Sequence, residues 1–319
     1  MNQAFNTEAP TPIVSLPTRV IVAPSAIRAR DPSLSREAQR QLLTMQYRHV
    51  TLQDAQASGN AFYDPLKQSW TIWTKRPVAS FKGLVFEAML ARLCREQPNI
   101  VGKRALAWCT NRTVGRVTDK MINEYIPFIT ADSRLLDRPW TATFYNPGSP
   151  FDLQFYRVNE ASAAELATQV NTGAIAGIQA KAIQGEERSE VIDPVLSGRY
   201  PHVLTMLKHK TGEHSHEVCR RLLNAMSKKG EISNEQAMNA LNRITYPDAL
   251  GIDQAYIEDY SEFINFSYTQ LVSITSDYVE AIALEVSENL TTSPGGILVP
   301  AQRDLVLPPT LSPANGRNG

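Results

Sequence analysis

The sequence predicts an α/β fold: a mixed β-sheet flanked by helices, followed by a helical C-terminal region. Three observations carry this. Apolar residues recur at helical spacing near both ends, β-rich runs gather in the middle between about 140 and 207, and turn signals separate those runs. The 319 residues suffice for one large domain or two modest ones, and 43% hydrophobic content excludes wholesale disorder.

Residues 1–30 contain four prolines and no clear period, which predicts a flexible arm. A helix is expected over 35–48, with Leu42, Leu43, Met45 and Tyr47 as its apolar surface, and a strand over 69–74. In the stretch SFKGLVFEAMLARLCRE, Phe86, Leu90 and Leu93 share one side with Met89 and Cys94 beside them, predicting about four helical turns ended by Gln97-Pro98-Asn99. A short helix is expected over 118–126, capped by Thr118 or Asp119. The runs 140–145 and 151–158, separated by Asn146-Pro147-Gly148-Ser149-Pro150, predict a hairpin. Helix is expected over 162–170, and strands over 174–183 and 200–207. The pattern then turns helical from Ser215, with a capping box at Ser233 and Gln236. Residues 252–290 read as one long or two stacked helices. Ile257, Tyr260, Ile264, Leu271, Ile274 and Tyr278 form their buried stripe, suited to packing against the α/β part or to a homodimer. Five prolines after residue 290 predict a disordered tail. The domains expected are therefore an arm at 1–30, an α/β domain at 31–210, a helical region at 211–290 and a tail at 291–319.

No window approaches the ~18 uninterrupted apolar residues of a membrane span, and the first residues show neither a basic nor an apolar signal region. Cys94, Cys109 and Cys219 have no metal or redox spacing, so a reduced, cytoplasmic setting is expected. Equal numbers of acidic and basic residues, 32 each, conceal a gradient. Residues 75–120 hold ten Lys/Arg against three acids, whereas 245–302 hold nine acids and no Lys or Arg. The first stretch suits phosphate contact or a solvated helix face, and the second repels polyanions. His209, His214, His216 and Cys219 do not match a structural-zinc spacing.

Polar groups interrupt the apolar pattern at three places. Glu87 lies within LVFEAML, Asp152 opens FDLQFYRV directly after the turn, and Gln179 and Lys181 leave the same face of GIQAKAI. Burying that lysine requires a nearby anion or carboxylate. In this order and on these elements, KGLVFEAML, SPFDLQF and GIQAKAI resemble the PD-(D/E)xK nuclease superfamily, in the Q-x-K variant of Mrr-type restriction endonucleases. The resemblance covers about residues 80–207. It implies a restriction-endonuclease-like mixed sheet and Mg²⁺-dependent hydrolysis of DNA phosphodiester bonds, in restriction or anti-phage defence. Mn²⁺ is an alternative ion, and a partner protein of a defence system is compatible with it. Asp152, Glu87 and the carbonyl of Ala180 would hold the ion. Gln179 would stand where other members carry an acid, Lys181 would act on the developing charge, and Gln184 and Arg157 are candidate phosphate contacts. Two other readings are an impaired nucleic-acid-binding or regulatory protein on the same fold, and an interaction protein acting through its acidic C-terminal helices.

Overall fold

The structure, a computed structural model, describes residues 33–64, 69–73, 76–159 and 163–272, together with strand segments at 14–15, 21–22, 281–285, 291–292, 298–299 and 305–306. Apart from those segments, the expected N-terminal arm and C-terminal tail lie outside the described residues. Three long helices form one layer: α1 (Arg36–Ala57), α2 (Val78–Glu96) and, near the end of the described chain, the helix Gln254–Val272. Ser35 caps α1, its side chain accepting from the Ala38 amide, and α2 stops at Gln97 before Pro98. Two shorter helices follow, Lys103–Cys109 and Asp119–Glu124, the latter capped by Thr118.

The central sheet is mixed. Its strands are β1 (Ile126–Ile129), β2 (Leu153–Val158), β3 (Ala164–Leu166), β4 (Gly177–Lys181), β5 (Val203–Thr205) and β6 (Ile244–Thr245). They lie in the order β6-β5-β4-β2-β1, with β3 also on β2. The β1–β2, β2–β3 and β2–β4 pairs are antiparallel, and β4–β5 and β5–β6 are parallel. The parallel step from β4 to β5 passes through the helical turns Arg188–Ile192 and Asp193–Leu196. The step from β5 to β6 passes through α3 (Ser215–Lys228) and α4 (Asn234–Asn242). The capping box at Ser233 and Gln236 forms as expected.

Strand alternation divides the interior. Leu153, Phe155, Ile178, Ala180, Leu204 and Met206 face the long helices and form the main core with Tyr47, Phe86, Met89 and Tyr260. Ile257, Tyr260 and Ile264 of the expected C-terminal stripe are buried in that same core, within the chain. Arg92 locks the layer: its guanidinium donates to both oxygens of Asp54 at 2.9 and 3.0 Å and to Tyr256 at 3.1 Å, while Tyr260 donates to Asp54 at 2.6 Å. On the other face two smaller clusters form. One holds Val203 and Ile244 with α3, α4 and Tyr200; the other holds Phe128, Leu135 and Tyr156. The strand between them in the sheet is β4. No helix among the described residues is long and apolar enough to cross a membrane.

Three expectations are corrected. Residues 140–145 are not a strand: Pro139 begins a helical turn to Ala142, and the strand that precedes β2 and pairs antiparallel with it is Ile126–Ile129. Pro139 cannot donate to a ladder but suits a helical first position. The neighbouring aromatics, rather than pairing edge to edge, pack as Phe128–Phe144 and Trp140–Tyr156 ring contacts at 5.6 and 5.7 Å. The segment 162–170 contains the strand Ala164–Leu166 instead of helix, because Asn159 turns the chain by accepting from the Ala163 amide and β2 offers a free edge. One helix also does not fill 252–290: Gln254–Val272 is helix, but Ala281–Glu285 is a strand that pairs antiparallel with Ser69–Trp73, and Ile274 and Tyr278 of the expected stripe lie outside the described residues.

Candidate active site

The last β2–β4 pair on one side is Leu153 with Ile178, so β4 runs on past the start of β2 and the two strands part as a fork. Asp152 stands in that fork. Its amide donates to Ile178 O at 2.9 Å and its carbonyl accepts from Thr130 at 3.0 Å, which fixes the backbone. Gly177 permits the close approach. A Cβ there would lie 2.6 Å from Phe151 Cγ, so only glycine lets the Phe151 ring lie across the strand and deliver the next residue to the gap.

Within the fork Asp152 Oδ2 accepts two hydrogen bonds, from Gln179 Nε2 at 2.6 Å and from the Ala180 amide at 2.7 Å. Oδ1 accepts none from the described residues. The backbone ladder explains why Ala180 is available. The Gln179 amide donates to His202 and the Lys181 carbonyl accepts from Met206, both toward β5. By alternation, the amide and carbonyl of Ala180 point the other way, into the fork. Gln179 presents its amide nitrogen to Asp152, so it acts here as a clamp on the carboxylate rather than as an oxygen ligand.

Glu87 enters from α2. Burial pushes its carboxyl well above the usual range, Asp152 adds to the rise, and Arg76 and Lys181 oppose it. Burial likewise pushes Asp152 up to about 6, against the pull of the Ala180 amide, Lys181 and Gln179. No third His, Cys, Asp or Glu joins these two acids in a metal-ligating group among the described residues. Lys181 Nζ donates to Glu190 Oε2 at 3.0 Å and lies 5.1 Å from the Tyr200 ring centroid. Both partners come from the chain between β4 and β5.

The structure thus joins Asp152, Gln179 and Ala180 by hydrogen bonds, and brings Glu87 and Lys181 within electrostatic reach of the Asp152 carboxyl. Glu190 and Tyr200 escaped sequence reasoning, since nothing in RSEVI or GRYP marks either as a partner of a strand lysine. Arg157 lies five residues along β2, about 16 Å from Asp152, and is paired with Glu165 at 3.2 Å. The basic stretch is divided between buried and exposed positions. Arg92 is in the buried Asp54 pair, Lys82 is buried, and Lys103 and Lys120 pair with Asp119 and Glu124. His214 and His216 pack on the Tyr246 ring at 5.3 and 5.2 Å, and Cys219 is buried in a hydrophobic cluster. Comparison of the chain with protein-family models, curated proteins and solved structures found no match in any of the three.

Proposed function

We propose that the chain is a metal-dependent nuclease of PD-(D/E)xK type that hydrolyses DNA phosphodiester bonds. The observation that carries the reading is the fork itself. Asp152 Oδ1, the Glu87 carboxyl and the Ala180 carbonyl are oxygen donors of the kind Mg²⁺ prefers. Two half-buried carboxyls raised by burial, Glu87 also by the charge of Asp152, are relieved by a divalent cation between them. A bound ion would supply an activated water and offset negative charge on the phosphate.

The chain's own groups do the rest. Gln179 and the Ala180 amide hold Oδ2 and so set the carboxylate plane of Asp152. Lys181, oriented by Glu190 and Tyr200, places positive charge beside the phosphate oxygens, where charge grows during attack. The order α2, strands β1 to β4, helical turns and parallel strand β5 supports the restriction-endonuclease-like reading of the sheet.

The test is cleavage of plasmid DNA by the full chain with Mg²⁺ or Mn²⁺. Lys181→Ala and Asp152→Ala are expected to abolish it while the protein stays folded. Full cleavage by either variant would sink the reading. One observation favours a second reading, a nucleic-acid-binding protein without cleavage: the Gln179 amide nitrogen occupies Asp152, and Lys181 is tied to Glu190. Under that reading DNA is retained in a mobility-shift assay with either ion and remains intact.

A further inference from the structure

A cavity of about 440 Å³ opens between the chain following β4, the segment 207–212 following β5, and the helix Gln254–Val272. Gln184 lines it and lies three residues beyond Lys181, roughly 10 Å along an extended chain. Lys208, His209 and Lys210 contribute from one side and Ser261 from the helix. Two acids also line it. Glu258 is neutralised by Lys208 at 2.9 Å, and Glu262 is exposed.

Behind Ser261 lies Lys82. Its side chain is buried (7% exposed), and its Nζ donates to Ser261 Oγ at 3.2 Å. No carboxylate of the described residues acts on it, and burial pushes its pKa down. An amine held this deep without a counter-charge is costly, and an anion within reach would relieve the cost. Ser261 is placed to convey that relief. Its oxygen accepts from Lys82, and its own hydrogen meets no acceptor among the described residues. Lys210 adds a second amine, tied to Gln184 because its backbone amide donates to the Gln184 carbonyl at 3.1 Å.

We infer that this cavity is a subsite for a phosphate group, received by the Ser261 hydroxyl with Lys82 behind it and Lys210 opposite. The choice of phosphate rests on the nuclease reading, under which a strand seated at Asp152 passes Gln184 within a few nucleotides. The preference for an anion does not depend on cleavage. The phosphate has two sources, a nucleic-acid strand or a free phosphate, and the experiment separates them.

Calorimetric titration of the full chain, without divalent ions and at low ionic strength, uses inorganic phosphate in one arm and a 5′-phosphorylated trinucleotide in the other. Binding in at least one arm is expected, and the tighter arm identifies the source. Lys82→Met and Ser261→Ala are each expected to weaken it about tenfold or more, the size of a lost hydrogen bond to a charged group. Lys82→Met keeps the volume, and melting curves establish that it folds. The exposed Lys210→Ala variant gives the same reading without touching the core. Absence of binding in both arms, or wild-type affinity in Lys82→Met and Lys210→Ala, would overturn the assignment. In the inorganic-phosphate arm, where no strand spans the fork, Lys181→Ala is expected to bind within about twofold of wild type, since separate sites act independently. Loss there would place the anion in the fork and overturn the subsite. A chain that binds phosphate through Lys82 but cuts no DNA would end the nuclease reading and leave this one standing.

Discussion

Replacing Asp152 with Asn should stabilise the metal-free protein at neutral pH. A carboxyl with an ordinary value of 3.8, held at about 6 by burial, keeps its proton in the folded state after the unfolded chain has released it. Stability therefore falls as pH rises through that window, and the penalty stays constant above it. At roughly 1.4 kcal/mol per pH unit the ceiling is about 3 kcal/mol. The side chain is only half-buried, so solvent screening reduces this to roughly 1–2 kcal/mol. Asn keeps the volume and an oxygen for the Ala180 amide, and it removes the charge that raises Glu87. Urea denaturation with a chelator at pH 7.5 is expected to show Asp152→Asn more stable by that amount, or about 2–4 °C in melting temperature. Near pH 2.5, well below the ordinary value of 3.8, wild-type Asp152 is protonated in both states and this difference between the two proteins should vanish. Added Mg²⁺ should raise the wild-type melting temperature and leave the variant unmoved, because a ligand stabilises only the form that binds it. A variant less stable than wild type by the same margin at both pH values would refute the reasoning, and would make Asp152 a turn residue whose bonds simply hold the strand entry.

Three further outcomes are expected. Arg92→Ala strands Asp54 in the core beside Tyr260 and should cost about 3–5 kcal/mol in denaturant unfolding, with Asp54→Asn in the same chain recovering part of it; a loss under ~1 kcal/mol would mean that the pair is solvated. Gly177→Ala forces a Cβ into the Phe151 ring and should lose about 1–3 kcal/mol, with Phe151→Leu restoring some of it; unaltered stability would show that the ring has room to move. A chain ending at Gly251 lacks Ile257, Tyr260 and Ile264 from the main core and should be unfolded by circular dichroism; a cooperative melt would show that the long C-terminal helix is dispensable.

What could be read without a structure was local. The apolar spacing around Phe86 and Leu90, the stop at Pro98, the Ser233–Gln236 capping box and the shared face of Gln179 and Lys181 each depend on residues within a turn or two of one another. Periodicity and backbone chemistry act over that distance, so those elements appear where expected. Glu87, Asp152 and Lys181 were legible as well, because each breaks an apolar pattern in a way that burial penalises. Where a choice depended on a distant partner, the sequence left it open. Residues 140–145 have the aromatic content of a strand, but Ile126–Ile129 takes the edge of β2, and the aromatics pack on its face instead. Residues 164–166 suit a helix by composition, yet a free strand edge six residues back outweighs a helix too short to nucleate. The orientation of the Gln179 amide, the Lys181–Glu190 pair and the Lys82–Ser261 contact, which spans 179 positions, follow only from how the layers meet. Side chains far apart in sequence carry no mark of one another; only the packing of helices against the sheet selects which polar groups share a buried space, because there each must find a partner or pay the cost of lost water.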